Sequence, residues 1–338
     1  MMRVGLSLGH SRPLGELPAL LRRAERAGVD SVWVSEAYGT DAVSVLGYLA
    51  AFTDTMRLGT AVLQMPARTP ANTAMTALTL DQLSGGRLVL GLGSSGPQVV
   101  EGWHGVPFAA PLARTREYVS IVHAAVAREA PLRHEGRHYR IPYRRPDGSA
   151  QRSIKASVHP VRPRIPIYLA SNGPKAVSLA AEIADGWLPA FYSPEKPEVY
   201  AAALAEGTAA RDPALGPLDL VATVHIAAGD DLAACRDAVR PAFALYLGGM
   251  GSRETNFYTA LAGRIGYEAE ARAVQNLYLD GHRAEAIAAV PDALIDELAL
   301  VGPLDRVVDR LRVWQGAVDA VTLKTTDIPL AERLLAAL

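Results

Sequence analysis

Residues 87–96 read RLVLGLGSSG, and the fold turns on which of two meanings that string carries. Gly91, Gly93 and Gly96 match G-x-G-x-x-G directly after a β-rich run. In a dinucleotide-binding fold this pattern brings the backbone against a pyrophosphate at a helix N-terminus. The residues that follow, PQVVEGWHGVPF (97–108), do not fit that fold. They supply no second βα unit, and no acidic residue ends another strand at the expected distance. The other meaning places the same glycines at the C-terminal end of a barrel strand, where such barrels build their active sites.

Working outward from this string, β-rich runs alternate with amphipathic helical stretches. The runs fall at residues 4–8, 31–37, 56–64, 87–93, 165–170, 186–191, 220–228 and 319–324, eight in all. Between the first two, Leu17, Leu20, Leu21, Ala24 and Ala27 share one helical face that Gly28 terminates. Strict alternation indicates a parallel sheet, and eight strands close a (β/α)8 TIM barrel. An open doubly wound sheet would leave a linker or composition shift between halves, and neither is found. Residues 97–164 and 231–296 are longer than a crossover needs. They are expected to be insertions after strands 4 and 7 of a single domain spanning 1–338, the first with short strands of its own and the second wholly helical.

Composition narrows the function class. The 338 residues are 49% apolar and 20% charged, with a formal net charge of −1, as expected of an ordinary globular protein rather than a disordered chain. A near-neutral charge carries no electrostatic footprint for nucleic acid. The start, MMRVGLSLGHSRP, has too short an apolar stretch for a signal peptide, and no run is long enough to span a bilayer, so a cytoplasmic location is expected. Cys235 is the only cysteine, which excludes an internal disulfide; its amphipathic surroundings suggest a buried, inert thiol. His134 and His138 lie four apart in a polar stretch flanked by arginines, an incomplete metal site, so no metal is expected.

Two loops and a few rim residues carry the chemistry. In ASNGPKAV (170–177), Ser171 and Asn172 are good N-cap residues, Gly173 permits close approach and Pro174 suits a first helical turn. Such a start is an anion site, to which Lys175 adds charge, or simply a capped helix. Glu36 follows the second strand, where a carboxylate serves as general base, substrate ligand or acceptor for a cofactor ring, or else pairs with a neighbouring arginine. Tyr38 and Asp41 share that rim, and His10 lies just past the first strand.

The ordered strings AERAGVDSVWVSE (24–36), RLGTAVL (57–63), DQLSGGRLVLGLGSSGPQVVEGWHG (81–105), HPVRPRIPIYLASNGPKAV (159–177), AAEIADGWLP (180–189), ALYLGGMGS (244–252) and GYEAEA (266–271) resemble the luciferase-like monooxygenase superfamily. They are most similar to its branch of oxidoreductases using coenzyme F420, a deazaflavin. The resemblance covers nearly the whole chain. It implies a barrel whose third strand bulges around a non-prolyl cis peptide at Ala61–Val62. There Thr60, Ala61 and Val62 would back the cofactor's tricyclic ring. It further implies Glu36 near the ring edge, Gly93, Ser94 and Ser95 along the cofactor, and Ser171, Asn172, Gly173 and Pro174 around its phosphate.

The activity implied is hydride transfer between the reduced deazaflavin and an electron-poor C=C, C=N or C=O bond of a small molecule, by a homodimer. Glu36, Tyr38 and His10 are the candidates for proton handling. Relatives that oxidise a sugar phosphate carry a histidine directly after the acid ending strand 2, whereas this chain has Ala37. Two rival readings are an FMN-dependent monooxygenase on the same barrel, served by a separate flavin reductase, and a non-catalytic flavin-binding protein.

Overall fold

The computed structural model describes residues 2–9 and 13–338. Its strands in chain order are β1 (Arg3–Leu8), β2 (Ser31–Val34), β3 (Arg57–Thr60), β4 (Leu63–Gln64), β5 (Leu88–Gly93), β6 (His134–Glu135), β7 (Arg140–Ile141), β8 (Ile167–Ala170), β9 (Gly186–Leu188), β10 (Asp219–Ala228), β11 (Ala299–Gly302) and β12 (Ala320–Lys324). Parallel pairing runs β1-β2-β3-β5-β8-β9-β10-β12 and returns from β12 to β1, so the sheet closes on itself. With β4 continuing the third strand, the eight expected runs are the eight staves of the barrel. The crossover helices wrap its outside, and their apolar faces join the outward residues of the strands in one large core.

A second, smaller cluster lies inside the barrel: Trp33, Val89, Tyr168, Val221 and Ala320. Side chains alternate across a strand, so this set fixes which residues of each stave point inward. Small residues make room for the large ones, since a Cβ on Gly59 would stand 2.3 Å from the Trp33 ring. At the N-terminal end, Arg3 and Tyr168 both bond Asp219, and Arg57 pairs with Asp30.

The third strand carries one residue too many. Gly59 pairs with Val89 and Leu63 with Leu92, four steps on one strand against three on the other. The excess is a bulge at Ala61–Val62, and that peptide bond is cis. The Thr60 hydroxyl clasps the mismatch, donating to the Gly91 carbonyl at 2.7 Å and accepting from the Gly91 N–H at 2.8 Å.

Three features depart from the sequence reading. The second stave ends at Val34 rather than 37, the sixth at Leu188 rather than near 191, and β11 was not anticipated. The last two are linked. β10 is ten residues long, but β9 covers only Asp219 and Leu220 on one side of it. An exposed strand edge seeks a partner, and β11 pairs with the uncovered end at His225–Ala228. The segment between β5 and β8 holds the helix Pro111–Ala127 and the β6–β7 hairpin, and that between β10 and β11 is helical. Among the described residues no helix is long and apolar enough to cross a membrane.

A Cβ on Gly91 would fall 1.9 Å from the Thr60 carbonyl oxygen, whereas one on Gly96 meets nothing within 4 Å. Gly91→Ala is therefore expected to cost about 1–3 kcal/mol through overpacking, and Gly96→Ala no more than about 0.5 kcal/mol. Urea midpoints of the two variants check this.

Candidate active site

The C-terminal mouth of the barrel is open where the opposite end is filled. Thr223 points inward on the same face as Val221 and bonds the Thr322 hydroxyl at 2.9 Å. It is nevertheless exposed in the middle of a barrel strand, so a cavity lies above the Trp33 layer. Ser35, Ala61, Val62, Ser94, Ala170, Leu188, His225 and Lys324, all near the strand ends, are half-buried around it.

Glu36 leaves the end of β2 and turns into this rim. Its Oε1 accepts from Arg68 Nη1 at 2.6 Å, while Oε2 is buried with no partner. The arginine anticipated as the alternative partner thus exists, yet Glu36 is only 11% exposed and so is not a solvated loop acid. Arg68 spans to Asp41 at 2.7 Å, and Asp41 also accepts from the Ser44 N–H to cap the helix Ala42–Ala50. Burial pushes the Asp41 carboxyl up, but its bonds to Ser44 and the Arg68 charge outweigh this and hold it below the usual range.

Gln64, buried at the end of β4, ties three loops together. Its amide donates to the Ala37 carbonyl at 2.6 Å, and its Oε1 accepts from His104 Nε2 at 2.7 Å and Ser95 Oγ at 3.4 Å. Ser95 is held at φ 56°, uncommon for a residue with a side chain. Gly93 lies against the bulge, where a Cβ would stand 2.6 Å from Val62 Cγ2. Tyr38 is exposed at the outer rim, its hydroxyl 3.9 Å from Met250 Sδ. His10 lies outside the described residues.

On the far side, the helix Pro174–Ile183 starts without a side-chain cap, and its N-cap is Gly173. Ser171 and Asn172 do not cap it, contrary to expectation. The Ser171 carbonyl accepts from Trp187 Nε1 at 2.8 Å, and Asn172 Oδ1 accepts from the Ala190 N–H at 3.3 Å. These bonds draw both residues toward the end of β9 and leave the helix start open to an anion. Arg264, from the helix Phe257–Arg264, donates to the Asn172 carbonyl and brings a guanidinium to the same loop.

Opposite the bulge, His225 and Lys324 face inward from paired positions on β10 and β12. Burial, and then the Lys324 charge, push the His225 imidazole down to about 3. Arg68, Gln64, His104, Arg264, His225 and Lys324 were not singled out from sequence. Of these only His104 sits in a recognised string, GWHG, and nothing in its spacing points to Gln64, forty residues earlier.

A closed parallel barrel with a polar, half-open C-terminal mouth defines the class. Comparison with known proteins defines the family. The luciferase-like monooxygenase model matches residues 1–320, and the chain belongs to that family. It is 44% identical over 338 residues, 98% of this chain and 97% of the relative, to a Mycobacterium tuberculosis protein whose name provisionally makes it a coenzyme F420-dependent oxidoreductase. It is 29% identical over 311 residues, 92% and 89% of the two chains, to 5,10-methylenetetrahydromethanopterin reductase of Archaeoglobus fulgidus. The fold matches the coenzyme F420-dependent tetrahydromethanopterin reductase of Methanopyrus kandleri with a TM-score of 0.79 at 22% identity, covering 99% and 96% of the chains.

Removing Arg68 strands a nearly buried carboxylate. Arg68→Met is expected to cost about 2–3 kcal/mol, just under the range for a fully buried pair. Adding Glu36→Gln should recover part of that loss, as a double-mutant cycle in urea will measure. His225 gives a pH signature. Its folded-state pKa lies below the unfolded value near 6.5, so its contribution is complete above pH 6.5 and is lost as pH falls toward about 3. His225→Gln should flatten the stability–pH curve in that window by up to about 1.4 kcal/mol per pH unit.

Proposed function

We propose that the protein is a coenzyme F420-dependent oxidoreductase that moves a hydride between the deazaflavin and an electron-poor C=C, C=N or C=O bond of a small molecule. The observation that carries this reading is the bulge of the third strand, which presents Ala61 and Val62, apolar and half-buried, to the open mouth beside Gly93. A flat apolar shelf of that kind suits the face of a tricyclic ring. The names of the relatives at 44% and 29% identity support F420 in particular.

The residues present fit such a group. When bound, the deazaflavin supplies or accepts the hydride, and the chain supplies position, water exclusion and proton handling. Glu36 Oε2 is a buried acceptor lacking a donor, the atom that would take a ring N–H, and Arg68 fixes its carboxylate plane. Gly93 leaves the cofactor's path clear of a side chain, with Ser94 and Ser95 beside it. The open helix start at Gly173 and Pro174, with Ser171 and Asn172 before it, would hold the phosphate. Arg264 and Lys175 add positive charge there.

Proton handling falls to Tyr38, Glu36 or His10. Ala37 holds no proton, and its carbonyl is taken up by Gln64. A histidine-based oxidation of sugar phosphate is therefore not part of this reading.

The test is titration of the purified protein with F420 and, separately, FMN, followed by fluorescence and calorimetry. F420 is expected to bind at least tenfold tighter than FMN. Arg264→Leu should weaken F420 by roughly tenfold, about 1.4 kcal/mol. Tighter binding of FMN, with oxygen consumption on adding a flavin reductase, would replace this reading with the monooxygenase.

A further inference from the structure

Three staves separate the bulged third strand from β10 in either direction around the barrel. The wall of β10 and β12 therefore faces the shelf formed by Ala61 and Val62 across the mouth. That wall is built differently from the rest of the rim. Ala320 belongs to the interior cluster, so Thr322 and Lys324 follow it on the inward face. Lys324 is half-buried, and among the described residues no carboxylate pairs with it. Its Nζ instead lies 5.6 Å from the centre of the Tyr246 ring. The neighbouring His225 imidazole supplies no negative charge to balance it.

The surroundings of this ammonium are aromatic. Tyr246 packs on Tyr258 at 4.7 Å between ring centres and on Phe191 at 5.5 Å. The ring of His225 stands 5.5 Å from Phe243. The backbone here is unusual twice over. Tyr246 sits in a π-helical turn, Leu245–Gly249, a form concentrated at functional sites. Phe191 is held at φ 49°, an outlier for a bulky side chain that only its packed surroundings maintain. On the opposite wall, by contrast, Arg68 is already paired with two carboxylates.

We propose that Lys324 and the aromatic wall of Tyr246 and Phe191 form the substrate's seat, and that the substrate is a carboxylate with an apolar or aromatic body. The unpaired ammonium takes the carboxylate and the rings take the body. The reducible bond then lies over the shelf side of the mouth. This rests on the hydride-transfer reading for the substrate's role, but the seat itself is testable without turnover.

The probes are trans-cinnamate and cinnamamide, equal in shape and different in charge, titrated calorimetrically into the purified protein with and without F420. Wild type is expected to bind cinnamate at least tenfold tighter than cinnamamide. In Lys324→Met the ratio should fall to within threefold of one, and in Lys324→Arg it should persist. Near-UV circular dichroism verifies the fold, and if the Met variant is unfolded, Lys324→Gln takes its place. Equal or undetectable binding of both probes to wild type overturns the seat, as does an undiminished ratio without the lysine. F420 fluorescence in the same samples separates the two proposals. F420 bound without carboxylate preference sinks the seat alone, and carboxylate preference without F420 binding sinks the cofactor reading alone.

Discussion

The Thr60 hydroxyl, bonded to both the carbonyl and the N–H of Gly91, is the contact on which the mouth of this barrel depends. It stands in for the ladder bonds that the third strand loses when four of its steps face three on β5. Because Gly91 has no Cβ, the strands can approach closely enough for one hydroxyl to serve both groups. Ala61 N–H is satisfied in turn by the Val34 carbonyl at 2.8 Å. The bulge is therefore anchored on both flanks, and its extra residue is displaced toward the cavity. One register step later, the strand delivers Gln64 into the rim, where it joins the loops after β2 and β5.

Charge is arranged so that the two ends of the barrel behave differently. At the N-terminal end the inward charges are matched within the wall: Arg3 with Asp219, and Arg57 with Asp30. Trp33 and Tyr168 fill the space above them. At the C-terminal end the matching is uneven. Arg68 serves two carboxylates, Glu36 keeps one oxygen without a donor, and Lys324 faces a ring instead of an acid. A buried or half-buried polar group left this way carries a desolvation cost, which a ligand bonding Glu36 Oε2 or the Lys324 ammonium would relieve.

Much of the architecture was legible because barrel staves and crossover helices announce themselves through local pattern. All eight staves were found. So was the bulge position, through the resemblance of GTAVL. The shortfalls have tertiary causes. β11 forms because β10 outruns β9, a length mismatch between strands more than thirty residues apart in sequence. Ser171 and Asn172 have good capping chemistry, yet the N-cap falls at Gly173, and the Ala190 N–H takes the Asn172 side-chain oxygen. Glu36 was picked out by its place after a strand, while Arg68, which fixes its orientation, carries no signal in its own neighbourhood.

The sequence by itself determined the parallel barrel, because apolar periodicity and glycine-bearing strand ends are local properties of the chain, and the resemblance of its ordered strings determined the family. The tertiary structure decided which side chains meet at that end: Gln64 with His104, Arg264 with the Asn172 carbonyl, Lys324 with Tyr246. Those pairs join residues 40, 92 and 78 positions apart. Only closure of the barrel and packing of its insertions bring them within bonding distance, since no periodicity of 2 or 3.6 residues encodes contacts at such separations.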